Sequence, residues 1–327
     1  MTSPATRPPL DVRLTSDHAS RALRHDVLTG LRADPKWLPP KWFYDARGSR
    51  LFEEITRLPE YYPTRAEREI LDTRAADLAE RTRARSLVEL GSGSSEKTRL
   101  LLDALRAAGP LREFVPLDVS ESALREAVDA IVADYPGLEV HGVVGDFTEP
   151  LSGLPGESPR LVAFLGGTIG NLLPRERREF LLGVRAVLEP EEWLLLGTDL
   201  VKDPATLVRA YDDAAGVTAE FNLNVLRVLN RELGATFPLE DFSHVAVWDP
   251  GHEWIEMRLR AGRAMQVEVP GVDLVVDLAE GEEIRTEISA KFRRDGVEQE
   301  LAAAGFELDR WWTDGRERFA LSVARAV

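Results

Sequence analysis

A glycine-rich turn that follows a short apolar run is the part of this sequence that most directly suggests chemistry. Residues 87–90 are apolar apart from one glutamate, and Gly91 and Gly93 come directly after them. Glycine has no Cβ, so the backbone can turn sharply there and approach a ligand closely. We expect the next helix to begin near Ser94 or Ser95 and to point its N–H groups at the same place. This layout is typical of an adenine-cofactor site at the top of a parallel sheet.

Two aspartates are predicted to lie at the same edge of that sheet. Asp118 ends the second predicted strand, and Asp146 and Phe147 follow the third. Open α/β sheets bind ligands at the carboxyl ends of their strands, where an acidic side chain suits a ribose diol. We assign that role to Asp118, whereas Asp146 would accept from an adenine amino group with Phe147 packed on the ring. Each feature also has a purely structural interpretation, because Gly-x-Gly is often only a tight turn and an aspartate often caps a helix or a turn.

The type of cofactor depends on Glu96. The fingerprint of dinucleotide sites needs a third small residue, which would fall at Glu96 in this sequence. A carboxylate fits poorly against a pyrophosphate, so the pattern favours an adenine cofactor without phosphates, of which S-adenosylmethionine is the common one. The alternative from the same residues is a nicotinamide cofactor, and therefore an oxidoreductase.

Helices and strands alternate around these residues. The periodicity predicts helices at 65–83, 97–108, 122–135 and 175–188, and strands at 87–90, 114–119, 138–145, 161–165 and 193–197. Strands that are separated by helices pair in parallel, which predicts an α/β fold with a doubly wound, Rossmann-like sheet.

The pattern changes after residue 200. Helices are predicted at 204–213 and 219–234, and strands of antiparallel character at 244–248, 254–261, 265–269 and 272–278. A helix at 297–304 and a strand at 319–326 then return to the first pattern. We therefore predict a cofactor-binding domain of residues 65–200 plus 288–327, and a smaller α+β substrate-binding lobe of residues 1–64 plus 201–287.

Composition excludes several classes of protein. The 327 residues carry a net charge of −15, which disfavours binding to nucleic acid or to an anionic membrane surface. Cysteine is absent, and the five histidines have no metal-ligand spacing, so a disulfide framework and a zinc site are not expected. The sequence has no apolar stretch of membrane-spanning length, and residues 1–10 are polar and proline-rich, without the apolar region of a signal peptide. We expect a cytoplasmic, monomeric enzyme with a short frayed N-terminal tail and no metal.

Six longer strings carry a more specific signal. They are LPPKWFYD at 38–45, LPEYYPTR at 58–65, ELGSGSSEKT at 89–98, FLGGTIGN at 164–171, GTDLVKD at 197–203 and YDDAAGVT at 211–218. With them the chain resembles, from about residue 20 to 327, the L-histidine Nα-methyltransferases of ergothioneine biosynthesis, which trimethylate histidine to hercynine. Gly167 and Ala290 depart from that pattern, where serine and cysteine would be expected, and neither position would carry a reacting group.

The resemblance implies roles for the matching positions. S-adenosylmethionine, with S-adenosylhomocysteine as product, would be held by Tyr44, Gly91, Gly93, Lys97, Asp118, Asp146, Phe147 and Thr168. Asn171 and Tyr211 would hold the carboxylate of L-histidine, and Tyr61, Glu287 and Ser289 would read its imidazole. Phe52, Gly166 and Met257 would shape the pocket near the amine and the ring.

Methyl transfer to an amine fits these residue types. The enzyme has to align the amine, methyl group and sulfur and exclude water. Tyr44, Tyr61 and Asn171 are the catalytic candidates, with the two tyrosine hydroxyls as routes for the amine proton. Aromatic faces such as those of Phe52 and Tyr44 could stabilise the growing ammonium group by cation–π attraction.

Glu287 and Ser289 are two residues apart, which places both on one side of a strand. Glu287 can accept from one ring N–H, and Ser289 can donate to or accept from the other ring nitrogen. Without the resemblance, an edge strand with a polar outer face would be the simpler interpretation. The alternatives to a histidine methyltransferase are a methyltransferase of another amino acid or small amine, the nicotinamide-dependent oxidoreductase, and a non-catalytic binding protein.

Overall fold

The computed structural model describes residues 10–14, 16–93, 95–151, 153 and 155–327. The chain divides into two compact units. Unit 1 comprises 10–14, Pro63–Leu200 and Phe292–Val327, and unit 2 comprises 16–62 and Val201–Lys291. The predicted N-terminal tail lies mostly outside the described residues.

The described chain contains nine α-helices. They are α1 Ser16–Arg32, α2 Ala46–Arg57, α3 Pro63–Thr82, α4 Thr98–Ala108, α5 Glu121–Asp134, α6 Pro174–Val187, α7 Pro204–Tyr211, α8 Val217–Leu233 and α9 Arg294–Ala303. Judged by helical content the prediction was good after residue 62, but α1 and α2 were not predicted. No helix of the described residues is long and apolar enough to cross a membrane.

The same residues contain fourteen strands. They are β1 Asp11–Val12, β2 Ser86–Leu90, β3 Glu113–Asp118, β4 Glu139–Val140, β5 Val143–Val144, β6 Arg160–Phe164, β7 Trp193–Asp199, β8 Phe242–Asp249, β9 Trp254–Ala261, β10 Met265–Val269, β11 Leu274–Leu278, β12 Glu283–Ala290, β13 Phe306–Thr313 and β14 Phe319–Ala326. The sequence pattern did not predict β1 or β13 and set no bounds for β12.

Unit 1 is built on one sheet with the strand order β1-β5-β3-β2-β6-β7-β14-β13, and β4 pairs with β3. Every pair from β1 to β7 is parallel, while β14 pairs antiparallel with both β7 and β13. The central strand β2 is buried along its whole length, as a strand covered on both faces should be. The predicted α/β class and the parallel, Rossmann-like sheet are confirmed.

The predicted third strand at 138–145 is wrong in one respect, because it is interrupted between β4 and β5. The cause is Pro116 in β3. Carbonyl oxygens of Phe114 and Asp118 accept from the neighbouring segment, at 3.0 Å each, so Pro116 faces the same neighbour. Proline has no N–H to donate there, and the ladder is broken at that point.

The predicted start of α4 near Ser94 or Ser95 is also wrong. Ser94 lies outside the described residues, and α4 begins at Thr98. Ser95 has a φ of 54°, in the left-handed region that a helix cannot include. Glu96 is therefore exposed before the helix and does not occupy the third fingerprint position, so it gives no argument for or against a pyrophosphate.

Unit 2 contains the antiparallel sheet β12-β9-β8, the hairpin β10-β11 and the helices α1, α2, α7 and α8. The bounds differ from the predicted lobe at two places. Residues 11–12 pair in parallel with 143–144 and so belong to unit 1. Residues 288–290 pair with β9 through Trp254 and so remain in unit 2, although we had expected them in the cofactor domain.

Candidate active site

The glycine turn of unit 1 is fastened to the end of the neighbouring strand. Gly91 and Gly93 have φ values of 69° and 51°, which favour glycine. The Gly91 N–H donates to the carbonyl oxygen of Leu117 at 2.8 Å, and the Gly93 N–H donates to Oδ2 of Asp118 at 2.9 Å. The two sequence features that suggested a cofactor site, the turn and the aspartate, are therefore in direct contact.

Asp118 accepts two backbone hydrogen bonds in this position. Besides Gly93, the N–H of Ser120 donates to its Oδ1 at 2.9 Å. Burial raises the pKa of Asp118, and these N–H groups act in the opposite direction. The cap of α5 is Ser120, so helix capping does not explain Asp118. A carboxylate has about four lone-pair sites, so after these two bonds it can still accept from a diol.

Asp146 and Phe147 follow β5 on the same side of the sheet as the glycine turn. Oδ1 of Asp146 accepts from the N–H and the hydroxyl of Thr148, at 2.9 and 2.6 Å, so this aspartate does close a turn. The Phe147 ring packs on Phe164, with centroids 4.9 Å apart. A Cβ placed on Gly91 would lie 3.8 Å from the Phe147 ring, so the ring borders the turn.

A fully buried glutamate, Glu67 on α3, joins two further predicted residues. Its carboxylate forms an ion pair with Lys97 and accepts from the N–H of Gly166 at 2.8 Å. Gly166 has a φ of 76° and precedes a short 3-10 turn, Thr168–Asn171. A Cβ on Gly197 would lie 2.4 Å from this carboxylate, so a glycine is required there. The sequence analysis missed Glu67, because its helical spacing gives no sign that a glutamate on α3 is buried.

Glu89 in β2 is the second buried carboxyl group that the sequence analysis missed. The Thr98 hydroxyl lies 2.7 and 2.6 Å from its two oxygens. Burial raises the pKa of Glu89 to about 8, while the hydrogen bond from Thr98 and the charge of Lys97 lower it. A glutamate in the middle of an apolar strand was the available signal.

Unit 2 gathers the predicted aromatic residues into one cluster. The ring centroids are 5.6 Å apart for Tyr44 and Phe52, 6.2 Å for Phe52 and Tyr61, and 6.3 Å for Tyr61 and Tyr211. Phe221 of α8, which was not predicted, packs on both Tyr44 and Phe52. Tyr44 was assigned to the cofactor, but its ring contacts in unit 2 are with residues that were assigned to the substrate.

Ser289, Tyr211 and Lys291 form a buried polar cluster at the end of β12. The hydroxyl oxygens of Tyr211 and Ser289 are 2.7 Å apart. The Lys291 ammonium donates to the Tyr211 hydroxyl at 3.0 Å and to Ser289 Oγ at 2.8 Å, and lies 4.6 Å from the centre of the Tyr211 ring. The sequence analysis predicted the serine and the tyrosine but not the lysine.

Glu287 lies two residues before Ser289 in the same strand, opposite Met257 of β9. Its side chain keeps some contact with solvent, yet burial raises the pKa of its carboxyl group to about 8, and the charge of Lys291 acts in the opposite direction. No residue of the described chain donates a hydrogen bond to this carboxyl group. The β-bulge of β12 precedes Glu287, so the two-residue spacing to Ser289 keeps both side chains on one side.

A second buried network supports the backbone of Tyr211. The Thr286 hydroxyl lies 2.6 Å from Oδ1 of Asn222, whose Nδ2 lies 2.8 Å from Nδ1 of His244. Nε2 of His244 lies 2.8 Å from the carbonyl oxygen of Tyr211. Because the amide nitrogen of Asn222 is a donor, Nδ1 accepts and Nε2 carries the proton that it donates to Tyr211. Burial lowers the pKa of His244, in agreement with this neutral ring.

The structure thus places the predicted site residues in two groups. Unit 1 holds Gly91, Gly93, Lys97, Asp118, Asp146, Phe147, Gly166, Thr168 and Asn171, and unit 2 holds Tyr44, Phe52, Tyr61, Tyr211, Met257, Glu287 and Ser289. Among the described residues, no group of three or more histidines and acidic side chains could hold a metal ion.

Comparison with known proteins gives consistent matches. A family described as "Histidine-specific methyltransferase, SAM-dependent" matches residues 23–326. The chain is 58% identical to a histidine N-alpha-methyltransferase of Mycolicibacterium smegmatis and 57% identical to one of Mycobacterium tuberculosis, in each case over 95% of this chain and 97% of the relative. It is 33% identical to ergothioneine biosynthesis protein 1 of Neurospora crassa, over 86% of this chain and 32% of that longer protein.

Proposed function

The chain belongs to the family of histidine-specific, S-adenosylmethionine-dependent methyltransferases, and on that premise we propose that it trimethylates the α-amino group of L-histidine to hercynine, the first step of ergothioneine biosynthesis. It is an enzyme that methylates histidine, with S-adenosylmethionine as the methyl donor. The proposal concerns the number of methyl groups and the residues that act. It is carried by one observation above all: a carboxyl group and a hydroxyl group with imidazole-binding capacity, Glu287 and Ser289, are buried side by side in unit 2.

The residues of unit 1 fit the methyl donor. Gly91 and Gly93 leave room where side chains would otherwise stand, and Asp118 keeps lone pairs for ribose hydroxyl groups. The Phe147 ring beside Gly91 offers a flat apolar surface for an adenine ring. Lys97 is neutralised by Glu67, so this part of the site does not repel a cationic sulfonium. Asp146 and Thr168 remain predicted ligands without further support.

The residues of unit 2 fit an imidazole ring. An ionised Glu287 accepts one ring N–H, and the Ser289 hydroxyl lies on the same side of β12 for the other ring nitrogen. Met257, opposite Glu287, supplies an apolar wall. Tyr211 is the proposed ligand of the substrate carboxylate, since its hydroxyl lies beside the positive charge of Lys291. Asn171, at the end of the 3-10 turn after Gly166, is the second proposed carboxylate ligand.

The chemistry asks these residues mainly for alignment. S-adenosylmethionine supplies a methyl group on a sulfonium, a good leaving group, for in-line displacement by an amine. The amine reacts only in its neutral form, and the hydroxyl groups of Tyr44 and Tyr61 are the proposed routes for its proton. With Phe52, their rings form a surface that stabilises an increasingly methylated ammonium by cation–π attraction. That stabilisation persists through all three transfers, because a quaternary ammonium keeps its charge.

Mass spectrometry of the product tests the proposal directly. The protein is incubated with L-histidine and S-adenosylmethionine, and mono-, di- and trimethylated histidine are followed over time. Accumulation of hercynine is expected, and a reaction that stops at one methyl group would contradict the trimethylation.

The substrate assignment has its own test, because a methyltransferase of another amino acid is the remaining alternative. The Glu287→Ala variant is compared with the wild-type protein on L-histidine and L-tryptophan. We expect the preference for histidine to fall at least tenfold, and unchanged selectivity would remove Glu287 from its role. Family membership no longer favours the oxidoreductase or the non-catalytic binding protein.

We also propose that the protein is a cytoplasmic monomer, as the composition suggested. A mass of 36.4 kDa by light scattering is the expected result for the oligomeric state.

A further inference from the structure

Lys291 is a buried lysine to which the proposed function gives no task. Only 4% of its surface is exposed, and its ammonium group donates to the hydroxyl groups of both Ser289 and Tyr211. We propose that Lys291 is a positioning residue that makes Ser289 a hydrogen-bond donor to the substrate ring, so that the enzyme binds the neutral imidazole in a single tautomer. This inference rests on the proposed function, in which Ser289 contacts that ring.

The proton count in the cluster limits what each hydroxyl can do. An ammonium group only donates, so both oxygens accept from Lys291. The 2.7 Å contact between the hydroxyls of Tyr211 and Ser289 uses one of their two protons. The second hydroxyl proton is therefore directed to an acceptor outside the cluster.

The acidities of the two hydroxyls decide which proton that is. A phenol, with a pKa near 10, is a far stronger acid and hydrogen-bond donor than an aliphatic alcohol. Tyr211 therefore donates to Ser289, and the Ser289 proton is the one that points out of the cluster. Both lone pairs of Ser289 are then filled, one by Lys291 and one by Tyr211, so this oxygen cannot accept from a ring N–H.

This arrangement selects one form of the substrate. The ring nitrogen that faces Ser289 must present a lone pair, and the nitrogen that faces Glu287 presents its N–H. An imidazolium ring has an N–H at both nitrogens and is rejected at Ser289. Lys291 supports the same arrangement at the other end, since its positive charge favours the ionised form of Glu287.

Steady-state kinetics of Lys291→Met, Ser289→Ala and the double variant test the inference. Because hydrogen bonds to a charged group are among the stronger ones, we expect Lys291→Met to raise the KM for L-histidine about tenfold or more. The expected change in kcat at saturating histidine is less than about threefold. In the Ser289→Ala background the same substitution should change KM by less than about threefold, because the group that it positions is already gone.

A pH profile adds a readout that a merely structural lysine would not move. In the wild-type protein, KM should rise steeply below the imidazole pKa near 6.5. In Lys291→Met the serine regains an acceptor site for imidazolium, so this rise should be smaller. Lys202→Met is the matched control, since Lys202 also donates to a tyrosine hydroxyl, that of Tyr62 at 2.7 Å, and lies 4.6 Å from its ring centre. Lys202→Met should keep the wild-type pH profile.

The outcomes separate this inference from the proposed function. A KM within twofold of wild type in Lys291→Met, additive effects in the double variant, or an unchanged pH profile would each overturn it. If Lys291→Met does not fold, Lys291→Gln, which keeps a donor but loses the charge, is put through the same cycle. An unchanged KM in Ser289→Ala would instead refute the role of the serine itself, and absence of histidine methylation in the wild-type protein would refute the proposed function.

Discussion

Binding of L-histidine is expected to release a proton from Glu287. In the protein without substrate, burial raises the pKa of this carboxyl group to about 8, so it is largely protonated at neutral pH. A carboxyl group that accepts the ring N–H of a neutral imidazole has to be ionised. The proton on Glu287 must therefore leave when the substrate binds.

The amount of proton follows from the pKa. A group with a pKa of about 8 is about 90% protonated at pH 7 and about 10% protonated at pH 9. Each histidine bound should release about 0.9 proton from Glu287 at pH 7 and about 0.1 at pH 9. By linkage, this ionisation makes the affinity for histidine rise about tenfold per pH unit well below pH 8 and level off above it.

Isothermal titration calorimetry measures this release directly. Histidine is titrated into the protein saturated with S-adenosylhomocysteine, in two buffers of different ionisation enthalpy, and the difference in heat gives the protons released. The Glu287→Gln variant is the matched control, because glutamine has the same shape and the α-amino group of the substrate contributes equally in both proteins. The difference between the two proteins is therefore the contribution of Glu287.

Two results would refute the reasoning. One is equal proton release by the wild-type protein and Glu287→Gln at pH 7. The other is a wild-type release that does not fall between pH 7 and pH 9. Either would mean that Glu287 is already ionised without substrate, or that it does not receive the ring N–H.

Three further outcomes are expected. Asp118→Asn replaces an acceptor oxygen by a donor and should weaken binding of S-adenosylhomocysteine about tenfold or more by calorimetry, whereas an unchanged Kd would remove Asp118 from the cofactor site. Thr286→Val removes the hydroxyl that orients Asn222, so the KM for histidine should rise several-fold with a lower Tm, and wild-type values of both would contradict the network. Glu89 has a raised pKa in the folded protein, so its contribution to the free energy of unfolding falls as pH rises from about 4.5 to about 8. Glu89→Gln should therefore be increasingly more stable than wild type over that range in urea unfolding, and a pH-independent difference would show the raised pKa to be wrong.

Strands of simple alternating or fully apolar pattern were predictable. The bounds of β9, β10 and β14 match the sequence prediction residue for residue, because each has regular alternation or continuous burial. Strand β13 was missed, since a register shift between Leu308 and Arg310 breaks its alternation and places polar residues on its half-buried face. The break in the predicted third strand could have been anticipated from Pro116 if the neighbouring strand had been known.

The candidate site divides along similar lines. Asp118 was predictable because a strand end and a glycine turn are both local signals, and the structure joins them by one hydrogen bond. The burial of Glu67 and Lys291 arises only when distant segments pack, and nothing in their immediate sequence distinguishes them from exposed charges. The imidazole-reading role of Glu287 came from family resemblance, and the physical reason for it, a buried carboxyl group beside a lysine, became visible only in the fold.

The order of segments along the chain has a consequence for biosynthesis. The chain enters unit 2 and returns to unit 1 twice, the second time after Lys291. In the sheet of unit 1, β14 lies between β7 and β13, yet every other strand of that sheet is synthesised before it. On the ribosome, β7 therefore keeps an unpaired edge until β14 emerges, whereas all segments of unit 2 are already available. Co-translational folding should consequently complete the substrate-reading unit first and the cofactor-binding unit last.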